Sequence, residues 1–169
     1  IHPRSYDGTG WLIASQYIMT NHHVVNARSE GEDAASPVDL ELQASETQVH
    51  FNYLSEGQKG DPVAVASLVA ADATLDYAIL KLEDNPGVAP LKLKLGEINI
   101  TEKDYIAGNI IQHPMGECKQ ISLRNNLIVG TYGSSLAYFT DTQGGSSGAA
   151  VSNDDWEVLA LHRGVAKTH

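Results

Sequence analysis

The sequence predicts an all-β protein built in two halves. Three observations carry this reading. Apolar runs are short and separated by close turn signals, no segment sustains a helical period, and Asp84-Asn85-Pro86-Gly87-Val88-Ala89-Pro90 interrupts the chain near its midpoint. Short strands with one apolar face close into barrels or stack as sandwiches. The expected division is a first antiparallel β-barrel over 1–84, a linker over 85–90 and a second barrel over 91–169.

Taken in order, Ile1 to Thr9 reads as an irregular lead-in. Gly10-Trp11-Leu12-Ile13-Ala14 and Tyr17-Ile18-Met19-Thr20 read as strands joined at Ser15-Gln16, and Asn21-His22-His23-Val24-Val25-Asn26 as a helical turn. Residues 27–37 are polar, carry breakers and predict a surface loop. The alternation of Val38, Leu40 and Leu42 predicts a strand over 38–44. Further strands are expected at 47–54, 62–70 and 75–83, the second supported by Val63-Ala64-Val65-Ala66. Beyond the linker they fall at 91–95, 104–112, 118–123, 126–132, 135–140, 148–152 and 156–162.

The 169 residues, 42% of them hydrophobic and 19% charged, fit one globular domain or two small barrels sharing a core. A net charge of −10 and a pI near 5.0 argue against a nucleic-acid partner, which needs a basic face. The apolar stretches are far too short for a membrane span. Cys118 is the only cysteine, so no intrachain disulfide forms. That favours a reducing, cytoplasmic compartment, with secretion as the alternative. The chain begins at Ile1 without a Met, which reads as processing or as one domain of a larger protein.

The most informative stretch is Asp141-Thr142-Gln143-Gly144-Gly145-Ser146-Ser147-Gly148-Ala149-Ala150-Val151. A plain loop does not need glycines on both sides of one serine. A nucleophile does: its hydroxyl must project from a tight turn while backbone N–H groups converge where an oxyanion forms. With Ser147 as the nucleophile, the N–H groups of Gly145 and Ser147 would form the oxyanion hole. Upstream, Thr20-Asn21-His22-His23-Val24-Val25 ends a strand and opens a turn, a place where an imidazole is held rigidly as a base. Leu75-Asp76-Tyr77-Ala78-Ile79-Leu80-Lys81-Leu82 carries one carboxylate at the head of an apolar strand, suited to orient that imidazole. Asp72 is a rival acid that lacks the strand pattern. His, then Asp, then Ser is the chain order of one of the known triad arrangements and not of two others.

These motifs resemble the trypsin-like serine peptidases of the chymotrypsin fold. Gly8-Thr9-Gly10-Trp11-Leu12-Ile13 matches the family's glycine-rich first strand, and the His three residues after the Thr selects His23 over His22. Asp76-Tyr77-Ala78-Ile79-Leu80 is similar to its Asp-x-Ala-x-Leu strand, and Gly145-Ser146-Ser147-Gly148 to its Gly-x-Ser-Gly loop. Gly108-Asn109-Ile110-Ile111-Gln112-His113-Pro114-Met115-Gly116 resembles the loop written Gly-Tyr-Pro-x-Gly. The nearest subgroup is the disulfide-poor bacterial branch that includes glutamyl endopeptidases. The resemblance implies two antiparallel β-barrels with the site in the cleft between them, a triad of His23, Asp76 and Ser147, and peptide-bond hydrolysis through an acyl-enzyme. Its partner is a protein or peptide substrate, and neither cofactor nor metal is expected.

Three departures stand out. Ala149-Ala150 replaces the family's Ser-Pro or Gly-Pro, which predicts a looser turn after the nucleophile. Ser146 replaces the Asp that pairs with a freshly cut N-terminus in digestive trypsins, so insertion of Ile1 is not expected to activate the chain. The chain also stops at His169, where relatives continue through another strand and a helix, so a truncated second barrel is expected.

The pocket for the residue on the acyl side of the cut should be lined by the approach to Ser147 and by His162-Arg163-Gly164-Val165. By resemblance to glutamyl endopeptidases, Thr142 and His162 face a substrate Glu or Gln. Asp141 competes, because trypsins carry their Arg- and Lys-selecting Asp there, and Val165 narrows the mouth. Glu or Gln is favoured over Arg or Lys. A metal hydrolase is disfavoured because the histidines form no HExxH pair and one Cys builds no zinc site. Cys118 lacks a glycine turn and reads as a small, partly buried strand thiol. The alternative function is a weak or inactive trypsin-like domain serving as a binding or regulatory module.

Overall fold

A computed structural model describes residues 6–28, 31–100 and 105–164. The strands are β1 (Trp11–Ala14), β2 (Tyr17–Thr20), β3 (Gln48–Phe51), β4 (Asp61–Asp72), β5 (Tyr77–Leu82), β6 (Lys92–Leu93), β7 (Asn109–Gln112), β8 (Gln120–Ser122), β9 (Ile128–Tyr132), β10 (Ser135–Tyr138), β11 (Ala150–Ser152) and β12 (Glu157–Leu161). The helices are α1 (His22–Asn26) and α2 (Pro37–Ser45), with one 3-10 turn over Pro114–Gly116. The protein is all-β, as the sequence predicts. No helix among the described residues is long and apolar enough to cross a membrane.

One sheet runs β1-β2-β5-β4-β3, a second runs β6-β12-β11-β7-β8, and β10 pairs with β9. All pairings are antiparallel except β12 with β6. The long β4 serves two partners: its start pairs with β3 and the rest with β5, with register shifts between Val65 and Ser67 and between Leu68 and Ala70. Bulges of this kind bend a strand and curl its sheet.

The first sheet folds over Leu12, Ile18, Val25, Val65, Ala78, Leu80 and Leu82. The second covers Ile110, Ala149 and Val151. Between them Trp11 of β1 packs on Ala150 and Val158 of β11 and β12. This contact sets one sheet against the other, and the loops that carry the site lie beside it.

The strand expected at 38–44 is a helix. The Ser36 hydroxyl accepts the Asp39 N–H at 3.2 Å, and the Asp39 carboxylate accepts the Ser36 N–H at 3.2 Å. This capping box, with Pro37 in the first turn, starts α2. Leu40 and Ala44, four residues apart, face the core, whereas Val38 and Leu42 are 77% and 61% exposed. The apparent alternation was therefore a helix with its inner face at a different spacing.

Candidate active site

The His23–Asp76 pair comes from two neighbouring strand ends. β2 ends at Thr20 and α1 begins at His22, while Asp76 stands one residue before β5, the strand that pairs with β2. The His23 N–H donates to Asp76 Oδ1 at 3.0 Å, and Asp76 Oδ2 lies 2.8 Å from His23 Nδ1. Asp76 has φ 56°, an unusual value outside glycine, and Asn21 Nδ2 holds its carbonyl at 2.8 Å. Asn21 is fully buried, so this brace is fixed in the core. His22 makes no hydrogen bond with the described residues. Asp72 caps its own turn by accepting the N–H groups of Thr74 and Leu75 at 2.7 and 2.8 Å, which leaves it unsuited to orient an imidazole.

The turn around Ser147 is pressed against this corner. A Cβ on Gly148 would fall on the Thr9 carbonyl and within 2.5 Å of the Thr20 hydroxyl. A Cβ on Gly8 would come within 2.6 Å of Val24 and 3.4 Å of the Ser147 carbonyl. Glycine is therefore what lets the serine turn and the histidine helix meet. The Ser147 hydroxyl has no hydrogen-bond partner among the described residues.

Thr9, which the sequence reading did not single out, joins the parts. Its N–H donates to the Ser147 carbonyl at 2.8 Å and its hydroxyl to the Gly145 carbonyl at 2.8 Å. The same hydroxyl accepts the His113 N–H at 3.0 Å, and the Thr9 carbonyl accepts the Thr20 hydroxyl at 2.8 Å. The flanking glycines were the available signal, since Gly-x-Gly marks close backbone approach.

Two N–H groups of the turn are left free by this bracing. The Gly144 carbonyl accepts Met115 N–H at 2.5 Å, and the Ser146 carbonyl accepts Ala149 N–H at 3.0 Å. In a trans peptide the C=O and N–H point in opposite directions, so the N–H groups of Gly145 and Ser147 are turned away from these partners. Neither has an acceptor among the described residues. Donors fixed in this way are able to stabilise an oxyanion without reorganising. Ser146 is fully buried and its hydroxyl accepts the Gln143 N–H at 3.2 Å, so the loop braces itself at the position of the departure. Ala149 is buried with Ile110 and Val151, Ala150 is buried with Trp11 and Val158, and the turn they follow is hydrogen-bonded. The Ile1 end lies outside the described residues.

Asp141, Thr142, His162, Arg163 and Gly164 line one cleft, together with Tyr138 and Met19. Val165 lies outside the described residues. His162 is tied to the serine turn, with Gly148 N–H on its carbonyl at 2.8 Å and its own N–H on the Ala149 carbonyl at 2.9 Å. Its Nδ1 meets the Tyr138 hydroxyl. Burial, with a smaller contribution from His23, pushes His162 down to about 4, and burial raises the Tyr138 phenol. Asp141 is exposed and its carboxylate has no partner among the described residues. Arg163 donates from Nη2 to the Ser135 hydroxyl at 2.8 Å and from Nη1 to the Thr74 carbonyl at 3.5 Å. Cys118 is half-buried in a bend before β8, not in a strand. Among the described residues no group of three or more His, Cys, Asp or Glu is placed to hold a metal ion.

Comparison with known proteins gives a consistent result. The family model described as "Trypsin-like peptidase domain" matches residues 8–161. The chain is 35% identical over 175 residues to "Secreted RxLR effector protein 73" of Plasmopara viticola, covering 94% of this chain and 41% of that protein. It is 33% identical over 171 residues to an uncharacterized protein of Sinorhizobium fredii, covering 92% of this chain and 24% of that one. The chain thus spans less than half the length of these relatives. Among solved structures, a serine endoprotease from Yersinia pestis superposes with a TM-score of 0.64 at 22% identity, covering 92% of this chain and 47% of that one. The Rv3671c protease in its inactive form gives a TM-score of 0.63 at 21% identity, covering 94% of this chain and 73% of that one.

Proposed function

The chain belongs to the trypsin-like peptidase family, and on that premise we propose that it is a serine endopeptidase working through an acyl-enzyme. The observation that carries the proposal is the double hold of Asp76 on His23 beside the glycine-rich turn of Ser147. In this reading the Ser147 hydroxyl attacks the peptide carbonyl and His23 takes its proton. The carbonyl oxygen becomes an oxyanion held by the N–H groups of Gly145 and Ser147. His23 then returns the proton to the leaving amine, and water releases the acyl group by the same steps. Asp76 accepts from Nδ1 and stabilises the imidazolium.

The domains follow the same proposal: barrels over 1–84 and 91–169, a linker over 85–90, and the site between them. The two large sheets support this, since one draws all its strands from residues 11–82 and the other from 92–161. The substrate is a protein or peptide, and the chain acts as one domain of a larger protein, as the greater length of its relatives suggests. For the compartment the observations divide: a lone thiol fits a reducing one, and the Plasmopara viticola relative carries the name of a secreted effector. The cleft with Thr142 and His162 favours Glu or Gln before the scissile bond over Arg or Lys.

The test is turnover of a fluorogenic peptide library. Ser147→Ala should lower kcat by several orders of magnitude, on the order of 10⁶ as in subtilisin. Unchanged turnover in that variant would refute the assignment.

A further inference from the structure

Asn21 stands between β2 and α1 as the N-cap of the helix that carries His23, with φ −80° and ψ 150°. An Asn at such a position ordinarily accepts a backbone N–H of the first helical turn through its side-chain oxygen. Here the side chain makes no capping bond. The N–H of His23 goes instead to Asp76 Oδ1 at 3.0 Å, so the acid caps the helix from the neighbouring strand end. The Asn21 amide is thereby released to donate from Nδ2 to the Asp76 carbonyl at 2.8 Å. Asn21 is fully buried, and its Oδ1 has no partner among the described residues. An unsatisfied buried oxygen costs stability, so packing alone does not account for an amide at this place.

We propose that Asn21 is a positioning residue: by holding the Asp76 carbonyl it keeps Asp76 in the left-handed backbone conformation from which one carboxylate reaches both the N–H and the ring of His23. The proposal rests on the reading of His23 and Asp76 as the base and the orienting acid of a peptidase. Asp76 has φ 56°, a region that residues with a Cβ enter at a cost, Asp less than most. Its carbonyl and its carboxylate hang from one α-carbon, so a hold on the first limits the swing of the second. Relaxation of φ to negative values would carry the carboxylate off α1 and leave the His23 ring free to turn. Displacing a catalytic group by about 1 Å is enough to cost about 10²-fold in rate. The adjacent Thr20 reaches the other way, its hydroxyl donating to the Thr9 carbonyl at 2.8 Å, and Thr9 holds the serine turn. Two neighbouring side chains thus tie the acid and the serine turn to one stretch of backbone.

The experiment compares the native chain with Asn21→Leu, which keeps a similar shape and removes both the donor and the unpartnered oxygen. Asn21→Ala repeats the comparison without the risk of overpacking. Circular dichroism and thermal melts should show both variants folded. On a peptide substrate kcat should fall by about 10²-fold while KM stays within about threefold. In an Asp76→Asn background the same changes should add less than about threefold, because the hold they remove then serves no carboxylate. Residue-resolved amide hydrogen exchange reads the same hold without turnover. The His23 amide should exchange about tenfold faster or more in both variants. The Leu82 amide, which donates to the Gln16 carbonyl at 2.8 Å, should keep its rate. An unchanged kcat, a fall in kcat with His23 exchange unchanged, or losses that multiply in full with Asp76→Asn would overturn the proposal. So would equal acceleration at His23 and Leu82, or failure of both variants to fold, since either marks a role in stability alone. A native chain without turnover, in which His23 alone loses protection in the variants, would overturn the peptidase reading and support this one.

Discussion

Asp76 grips His23 at two points, the backbone N–H through Oδ1 and the ring through Oδ2, so one carboxylate fixes both the position and the orientation of the imidazole. An amide in place of the carboxylate keeps the shape but sets an NH₂ group against one of these two donors. Asp76→Asn should therefore leave the fold intact and lower kcat by about 10⁴, the size seen when this change inverts the tautomer of a triad histidine. His23→Ala should cost at least as much, and His22→Ala far less, because His22 has no hydrogen bond to lose among the described residues. Steady-state kinetics with a circular dichroism control check all three, and equal losses for the two histidines would contradict the assignment.

The Thr9 hydroxyl stands between the Gly145 carbonyl and the His113 N–H and is buried. Thr9→Val removes it without changing the shape and leaves both groups unpaired, at about 1–3 kcal/mol of stability. Because Gly145 supplies one oxyanion donor in the proposed mechanism, kcat should fall more than KM rises. Thr9→Ser should retain most of both. Denaturant titration and a split of kcat from KM decide this.

Two glycines of the serine turn should respond very differently. Gly148 has φ 89° and no room for a Cβ beside Thr9 and Thr20. Gly148→Ala should destabilise by about 3 kcal/mol or more, or prevent folding. A Cβ on Gly144 would meet only Met115 Sδ at 3.8 Å, an ordinary contact. Gly144→Ala should stay within about 1 kcal/mol of the native chain. Thermal melts of the two proteins make the comparison.

His162 is buried in its neutral form, with its pKa lowered from 6.5 to about 4. The unfolded chain thus binds more protons between these values. The associated stability is present in full above about pH 6.5 and is lost as pH falls toward 4, by up to roughly 3 kcal/mol. His113, also lowered chiefly by burial, acts in the same direction. His162→Gln should flatten the slope of stability against pH in this window without abolishing it. Urea midpoints measured across the window test the sign.

The sequence made local chemistry legible and long-range chemistry obscure. Strand positions followed from short apolar runs, and the contact of His23 with Asp76 followed from motifs that each carry their own backbone signal. Thr9 and Gly145 are 136 residues apart, and no local pattern announces that a hydroxyl in a lead-in segment will brace a distant turn. Tyr138 falls within an expected strand, and nothing beside it in the sequence announces that β12 brings His162 to its hydroxyl. At α2 the error was one of period. Val38, Leu40 and Leu42 alternate, but the Ser36–Asp39 capping box fixes the backbone before hydrophobic spacing has a say.

Ser147, not the buried and internally bonded Ser146, is the proposed nucleophile. Intact mass measurement after reaction with an organophosphonate probe tests it most directly. One adduct per chain is predicted, mapping to Ser147 by peptide sequencing and absent from Ser147→Ala and from His23→Ala. No adduct on the native chain, or an adduct that persists in Ser147→Ala, would contradict it.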